Sequence, residues 1–509
     1  MATESHHTSN TSTASNTSNT SAATTERPRI SRPRVTWLTL AACALVGALV
    51  ALLAGPNPRL GDRAEGDPTL IADVGAMTGE GRGFSSLAVA RVTGDDFTFA
   101  GFGYAVDGSV PGPDTPYELG SITKAFTGHL LADGVERGEL ALDDTLATHL
   151  PELEGTAAGS VTLVQLSTHT SGLPRLPDGM GQFGSALAPV DPYRDWTPED
   201  VTEAARTAAL DGAGEREYSN FGVALLGIAQ ARAAGVPTWS ELAEQRLFAP
   251  LGLTDTDIIG RDDAEPAGLA TSRWANGRIA QPWTGEGFAP TGSSTRTTAR
   301  DLARFAQAVL DETAPGMAAV QPILDGEEQS YGLAWVIDHA PDGDLTWHTG
   351  GTGGTRTILA LDADGGRAAL SLAATDDASG GMIGYQLARG ASDRVSTSVG
   401  LLGLIGAGVA AFVLLGAAFG LTRPASRISL GATLIDAALG IALAVLLGPW
   451  HWLPGWVLGA VIGALTGVIV LAILRAVGAP TLPERRRGSA IASLVFSALL
   501  AAVMGYLLF

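Results

Sequence analysis

Lys124 is the only lysine in this 509-residue chain, and every other cationic side chain apart from histidine belongs to an arginine. Arginine keeps its charge in a protein, whereas a lysine that is buried or close to another cation can lose its proton and act as a base. Ser121 precedes Lys124 by three residues, one turn away on the same face if a helix begins there. The pair therefore suits a nucleophilic hydroxyl and the amine that activates it.

A second polar group, Tyr218-Ser219-Asn220, stands immediately before the helical pattern Phe221–Ala233. Tyr218 is a candidate base if a nearby cation stabilises its phenolate, and Asn220 is a candidate ligand for a substrate amide. Taken alone, this triplet is also ordinary turn chemistry, so it gains meaning only from the other groups.

The third group runs from His348 through Thr349 and Gly350 to Gly351, after a strand-like stretch and before Thr355–Leu361, a second one. We expect a glycine-rich bend between the two strands. A strand edge without side chains can lie against a peptide-like substrate and present the Gly351 N–H to a developing oxyanion. A histidine before glycine is also common in structural turns, so this assignment stays open on its own.

Two predicted elements position these groups. The alternating stretches Ser85–Val92 and Phe97–Ala100 predict a β-hairpin with its turn at 94–96. Alanine and leucine at helical spacing predict a helix from Ser121 to about Arg137, with Gly138 as the stop. The nucleophile would then lie at a helix N-terminus, where free N–H groups stabilise an anion.

The motifs SITK, YSN and HTG, in this order, resemble those of the penicillin-recognising serine hydrolases, which include class C β-lactamases, D-Ala-D-Ala carboxypeptidases and related esterases. The resemblance extends through GELALDDTLATHLPEL, VTLVQLSTHTSGLP, LFAPLGLTDT and GSSTRTTARDLARF, and it covers most of the chain from Phe84 to Asp376. Class C β-lactamases usually carry lysine where this chain has His348. The set is therefore most similar to the streptomycete-type DD-peptidases.

This resemblance implies an α/β domain in which helices flank an antiparallel sheet, together with an all-helical lobe. It also implies an acyl-enzyme mechanism. Ser121 would attack a carbonyl carbon at the boundary between the two lobes, while Lys124 and Tyr218 share the proton transfers. Two coupled groups titrate as a pair, so the sequence does not assign the first proton to either of them.

The same resemblance assigns the substrate contacts. Asn220 would bind the amide on the acyl side, and the backbone N–H groups of the nucleophile and of Gly351 would form the oxyanion hole. His348, Thr349 and Gly350 would line the leaving side, where a terminal carboxylate is expected if the substrate has one.

No glycine-rich phosphate loop is present, and three histidines, His129, His149 and His169, are scattered without zinc-like spacing to acidic partners. We therefore expect neither a metal ion nor a cofactor.

Five apolar runs are each long enough to cross a bilayer. They comprise 35–54 as an uncleaved signal anchor and a four-helix region, 399–509, with runs at 399–421, 428–447, 455–474 and 489–508. Arginines cluster before the first run, after the second, after the fourth and before the fifth, which places all of them in the cytoplasm if the N-terminus is inside. The domain at 60–397 and the C-terminus would then lie outside, and 1–34, rich in Ser, Thr and Asn, would be a disordered cytoplasmic tail.

The segment between the first two runs holds 48 of the 52 acidic residues but 22 of the 32 lysines and arginines, a net charge of −26. Such a charge argues against nucleic acid or anionic lipid as a partner of this domain. Cys43 is the only cysteine, which excludes an intrachain disulfide. It lies in a lipoprotein-like LAAC motif, but the apolar run continues past it, which favours an uncleaved anchor.

The sequence thus predicts a membrane-anchored serine hydrolase that acts outside the cytoplasm on D-alanyl or D-amino-acid peptides, with peptidoglycan as a candidate source. An esterase and a β-lactamase are alternatives within the family. A non-catalytic sensor that binds a ligand in a hydrolase-like domain is the alternative outside the enzymes. Oligomeric state stays open, as does Asp436 in the third apolar run, either functional or a hydrogen-bonded carboxyl within the bundle.

Overall fold

The computed structural model describes residues 32–54, 59–180, 191–341, 343–395, 401–422, 427–450, 453–477 and 495. The strands are β1 (Ala64–Gly66), β2 (Ser86–Thr93), β3 (Asp96–Gly103), β4 (Tyr117–Glu118), β5 (Asp257–Ile258), β6 (Thr295–Thr297), β7 (Gln329–Tyr331), β8 (Val336–Asp338), β9 (Leu345–Thr352), β10 (Thr355–Asp362) and β11 (Arg367–Ala374). The helices of the α/β domain are α2 (Pro68–Thr78), α3 (Thr123–Glu136), α4 (Leu146–His149), α5 (Leu163–Ser167), α6 (Pro198–Ala205), α7 (Asn220–Ala234), α8 (Trp239–Ala243), α9 (Ala249–Leu251), α10 (Ala299–Leu310) and α11 (Met382–Ala388). Four long apolar helices complete the described chain: α1 (Arg32–Ala54), α12 (Leu401–Thr422), α13 (Arg427–Leu447) and α14 (Gly455–Val477).

Eight strands form one antiparallel sheet in the order β1-β3-β2-β11-β10-β9-β8-β7. Its hydrophobic side chains alternate between two cores, as the period of two in a strand requires. Leu87 and Val89 of β2 pack with α2 and α11 on one face, whereas Ala88 and Ala90 belong to the core shared with α3 and α10 on the other. Burial of both faces explains why these strands are apolar almost throughout.

Helix α3, which begins two residues after Ser121, lies between the sheet and a helical lobe built around α7. Every residue of α3 from Thr123 to Gly134 is buried, and so is every residue of α7 from Asn220 to Ala231. Buried positions on all sides are typical of helices enclosed by the rest of the domain. The predicted α/β domain with an antiparallel sheet and an all-helical lobe is therefore confirmed.

One local boundary differs from the prediction. The helix predicted from Ser121 instead begins at Thr123, after a single 3₁₀ turn over Gly120–Ile122. The glycine-rich bend predicted between the two strands lies at Gly353 and Gly354, after β9 has continued as a strand to Thr352. Gly350 and Gly351 themselves are extended, because they pair with β10, Gly350 opposite Thr357.

On one side, strand β9 pairs with β8 along only part of its length. The pairing with β8 involves Leu345, Thr346 and Trp347, whereas the pairing with β10 continues to Thr352. From His348 onward the described strands therefore leave the β8 side of β9 without a partner. An extended substrate can be added at such an edge through backbone hydrogen bonds.

Helices α1, α12, α13 and α14 are each long and apolar enough to cross a membrane, with candidate spans at Thr36–Leu53, Leu404–Leu421, Ile428–Leu447 and Gly455–Arg475. Four of the five predicted apolar runs thus form long helices. The fifth, 489–508, lies outside the described residues except for 495, and so does the predicted tail up to residue 31. Glycines of α14 allow a close approach to α1, since a Cβ on Gly459 would lie 2.3 Å from the Gly47 carbonyl oxygen.

Candidate active site

Ser121 lies in the 3₁₀ turn that leads into α3, directly after a glycine with a left-handed backbone. Gly120 has φ = +64°, and a Cβ at this position would lie 2.5 Å from the backbone nitrogen of Gly351. Only glycine meets both requirements without strain. The turn can therefore bring the nucleophile against strand β9.

Lys124 follows one turn later, and its side chain is fully buried. Its Nζ lies 3.0 Å from Oγ of Ser121 and donates to the carbonyl oxygen of Thr291 at 2.8 Å. Thr291 ends a 3₁₀ turn, and Gly292 follows with φ = +95° and an approach so close that a Cβ would lie 1.9 Å from the Gly120 oxygen. The amine is thus held beside the hydroxyl by a second segment of the chain.

Tyr218 reaches the same hydroxyl from the helical lobe. Its phenol donates to Oγ of Ser121 at 2.8 Å, so the serine oxygen has two polar neighbours within hydrogen-bond distance. Ser219 caps α7 by accepting from the Gly222 N–H at 2.9 Å and donates to the Pro174 carbonyl at 2.7 Å. This cap fixes the end of the helix beside Tyr218.

Asn220 is buried next to these groups, and its amide is only half used. Nδ2 donates to the hydroxyl of Tyr193 at 3.2 Å, whereas Oδ1 has no hydrogen-bond partner among the described residues. A buried acceptor without a partner carries a cost that a ligand N–H would remove. The amide is therefore available to a substrate.

The predicted His348 to Gly351 group lies in β9, against the nucleophile turn. A Cβ on Gly350 would lie 2.2 Å from the Leu119 carbonyl oxygen and 3.1 Å from the backbone nitrogen of Ser121. The backbone of β9 at Gly351 and that of the turn at Ser121 are thus brought together, as an oxyanion hole requires. Thr349, between His348 and Gly350, is half-buried in the same strand.

Burial sets the protonation of the site. It lowers the pKa of Lys124 well below the usual lysine value, and the guanidinium of Arg175 lowers it further. Burial also raises the pKa of Tyr218 to about 12, so the phenol keeps its proton at neutral pH. These directions make the Lys124 amine easier to deprotonate than an ordinary lysine and the phenol harder to deprotonate than an ordinary tyrosine, so the amine is the better candidate for the group that accepts a proton.

His348 is neutral at neutral pH, because burial lowers its pKa to about 3. Its Nδ1 is 2.7 Å from the carbonyl oxygen of Thr349, an acceptor, so this nitrogen carries the proton. The other ring nitrogen is then an acceptor. The positive charge that lysine would bring at this position is absent from the His348 side chain.

Two arginines that the sequence reasoning missed lie beside the site. The guanidinium of Arg175 is 5.1 Å from the ring centroid of Tyr218, and that of Arg216 is 3.8 Å from the ring centroid of Tyr331. Neither forms an ion pair with a carboxylate in the described part of the chain. In a domain with a large negative charge, two exposed arginines of this kind form a local cationic region.

His169 is a third residue that the motifs did not reveal. Its ring lies 4.5 Å from that of Tyr218, and its Nδ1 accepts from the backbone N–H of Ser219 at 3.2 Å. Its φ of +62° is uncommon for a residue other than glycine. The histidine thus supports the loop that carries Tyr218, and a position before Thr-Ser-Gly was the only sequence signal for it.

No cluster of three or more potential metal ligands occurs among the described residues. The arrangement around Ser121 brings together the groups that acyl transfer uses: a hydroxyl, an amine, a phenol and two adjacent backbone segments.

Comparisons with known proteins identify the family. The Beta-lactamase family profile matches residues 71–389. The chain belongs to the Beta-lactamase family. It is 28% identical over 306 residues to the D-alanyl-D-alanine-carboxypeptidase/endopeptidase AmpH of Escherichia coli strain K12, covering 55% of this chain and 77% of that protein. A Beta-lactamase of Providencia stuartii is 34% identical over 145 residues, 28% of this chain and 34% of that protein.

Solved structures of the family share the fold. The class C β-lactamase from Rhodobacter sphaeroides superposes with a TM-score of 0.54 at 23% identity, over 62% of this chain and 97% of that one. The Beta-Lactamase/D-Alanine Carboxypeptidase from Pseudomonas syringae gives 0.52 at 21% identity, over 60% and 92%. The predictions of a penicillin-recognising family and of a serine hydrolase are confirmed.

Lys124→Arg should keep a positive charge but remove the capacity to give up a proton. We expect the rate of acylation to fall more than about 100-fold, the lower end of what a positioned acid–base group contributes. The rate can be measured with a chromogenic ester or β-lactam, with circular dichroism as the control for folding. A variant that acylates within a few-fold of the parent would show that Lys124 supplies charge only.

Proposed function

We propose that the chain is a membrane-anchored serine hydrolase that acts through an acyl-enzyme on D-alanyl or D-amino-acid peptides. The observation that carries this proposal is the position of Ser121 Oγ, 3.0 Å from the Lys124 amine and 2.8 Å from the Tyr218 phenol. A serine with an acceptor for its proton and a second proton donor beside it has what both halves of acyl transfer require.

In acylation, the Ser121 proton moves to the neutral Lys124 amine while Oγ forms a bond to the substrate carbonyl carbon. The N–H groups of Ser121 and Gly351 stabilise the oxyanion. When the carbon–nitrogen bond breaks, the leaving nitrogen receives a proton from the pair formed by Lys124 and Tyr218. In deacylation, water gives its proton to the same pair, attacks the ester, and Ser121 recovers its hydroxyl.

The first base is Lys124 rather than Tyr218. Burial lowers the pKa of Lys124 and raises that of Tyr218 to about 12, so the amine accepts a proton more easily than the phenol loses one. Acylation should therefore fall as the pH drops through the lowered pKa of Lys124, and Tyr218 should not limit it below about pH 12.

Substrate recognition follows from the remaining groups. Oδ1 of Asn220, which has no partner among the described residues, would accept the N–H of the amide on the acyl side. Arg175 and Arg216 supply positive charge near a neutral His348, which suits a substrate with a carboxylate on the leaving side. A D-alanyl peptide has both groups, and the relative from Escherichia coli is a D-alanyl-D-alanine carboxypeptidase by name.

A β-lactamase activity is the second candidate within the family, supported by the Providencia stuartii relative. An esterase is the third, because nothing in acyl transfer at Ser121 requires an amide. A non-catalytic sensor is disfavoured by the hydrogen bonds that join Ser121 to Lys124 and to Tyr218, since a binding module has no use for a polarised nucleophile.

The four long apolar helices support an anchor in the lipid bilayer, and the arginine distribution supports a cytoplasmic N-terminus, with the catalytic domain and the C-terminus outside. The partners would then be a peptide or ester substrate outside the cytoplasm, with peptidoglycan as a candidate, and the membrane itself.

Covalent labelling tests the catalytic proposal. A fluorophosphonate or a β-lactam should form an adduct on the peptide that contains Ser121, detected by mass spectrometry, and Ser121→Ala should abolish it. Turnover of a D-Ala-D-Ala peptide, a short-chain ester and a chromogenic cephalosporin, compared side by side, would then rank the three activities. Folded protein that reacts with neither probe would support the sensor instead.

Reporter fusions test the orientation. A reporter that is active only outside the cytoplasm should work when fused after Phe509 and fail when fused near Arg486. The opposite pattern would contradict the orientation that the arginines indicate.

A further inference from the structure

The α/β domain is connected to the long helices by two short segments. Four residues separate Ala54, the last residue of α1, from Arg59, and five separate Val395 from Leu401, the first residue of α12. A fully extended chain spans at most about 3.6 Å per residue, so each connection reaches about 20 Å or less. The domain is therefore held near the ends of the helices at two points.

Both connections leave the same end of the domain. Leu60 donates its N–H to the Gly81 carbonyl at 3.2 Å, and a Cβ on Gly103, at the end of β3, would lie 3.1 Å from its side chain. Val395 donates to the carbonyl of Met77, at the end of α2, four residues before Gly81. The end of β3 thus faces the long helices.

The candidate oxyanion hole lies at this same end of the sheet. Across the strands, Gly103 pairs with Ser86, Ser86 with Ala374, and the preceding residue of β11 with Arg356, which pairs with Gly351. These pairs form one row perpendicular to the strands. Four interstrand spacings of about 4.8 Å place Gly351 about 19 Å across the sheet from Gly103, in the same row of paired residues.

A hairpin of residues 273–279 bridges this end of the sheet and the long helices. Asn276 donates from Nδ2 to the carbonyl oxygen of Leu446, near the end of α13, at 2.7 Å. Two residues earlier, Trp274 packs so closely on the turn after β9 that a Cβ on Gly353 would lie 2.7 Å from its ring. Gly353 follows Gly351 by two residues, or about 7 Å of strand.

We propose that the active site opens at the bilayer surface and selects substrates that are attached to the membrane by a lipid. The short connections keep the domain close to the helices, and the hairpin links it to the end of α13. The open edge of β9 at Gly351 is only two residues from Gly353, on which Trp274 of the same hairpin packs. The proposal rests on Ser121 as the nucleophile and on the helices as membrane spans, and it adds the physical form of the substrate.

The test uses the full chain in phosphatidylcholine vesicles and two fluorophosphonate probes. One probe is soluble, and the other carries the same group on a diacyl lipid through a linker of about 15 Å. Both phosphonylate the serine oxygen with loss of fluoride, so they report on access to Ser121 whatever the natural substrate is. We expect the lipid-attached probe to react faster at equal bulk concentration.

The lipid-attached probe could also react faster only because it accumulates on the vesicles. A control variant distinguishes this effect from the position of the active site near the bilayer. About 20 Gly and Ser residues inserted into each connection should lower the preference for the lipid-attached probe about 10-fold, because the domain then samples a much larger volume. Labelling by the soluble probe should stay within about two-fold.

Asn276→Asp is the matched point variant. It keeps the oxygen that accepts the Arg278 N–H but loses the donor to the Leu446 carbonyl. The preference should fall several-fold while soluble labelling is unchanged. If the chain with inserted spacers still prefers the lipid-attached probe as strongly as the parent does, the proposal is wrong. If the spacers abolish this preference but Asn276→Asp does not reduce it, the hairpin has no role in orienting the domain. Failure of both probes on the parent protein would instead refute the proposed hydrolase.

Discussion

The hydrogen-bonded contact between the buried Lys124 amine and Ser121 is the interaction on which the site depends. A lysine without solvent is stable only if it gives up its charge or finds a strong partner. Besides Ser121, the Lys124 amine lies 2.8 Å from the neutral carbonyl oxygen of Thr291 and 5.0 Å from the ring centroid of Tyr218, and neither neighbour carries a full negative charge. Burial therefore lowers the pKa of the amine, which makes the amine a better acceptor for the serine proton. Lys124 itself lies in the enclosed helix α3, which packs against the enclosed helix α7, and its side chain has no exposure to water.

A second constraint is how closely three backbone segments must approach each other around the nucleophile. Gly120, Gly292 and Gly350 each lie where a Cβ would overlap a backbone atom of a neighbouring segment, at 1.9 to 2.5 Å. The 3₁₀ turn, the turn after Thr291 and strand β9 meet only because these positions lack side chains. The same approach that seats Lys124 thus also brings the N–H groups of the candidate oxyanion hole together.

The features that the sequence predicted well depend on residues close together in the chain. Ser121 and Lys124 are one turn apart, and the long apolar runs are recognisable by length, so their positions follow from spacing alone. Arg175 and Arg216 were missed because they are 41 residues apart and approach Tyr218 and Tyr331 only through tertiary packing. The start of the nucleophile's helix was misplaced by two residues, because Gly120 to Ile122 form a 3₁₀ turn packed against β9, which is a nonlocal contact.

The protonation state of Lys124 can be measured directly because the chain contains no other lysine. Protein labelled with ¹³C at the lysine ε-carbon would give a single side-chain lysine resonance, whose chemical shift reports the charge of the amine during a pH titration. The account predicts a titration midpoint well below the ordinary lysine value of 10.5. A midpoint near 10.5 would contradict it, because Lys124 would then be an ammonium ion that cannot take the proton of Ser121.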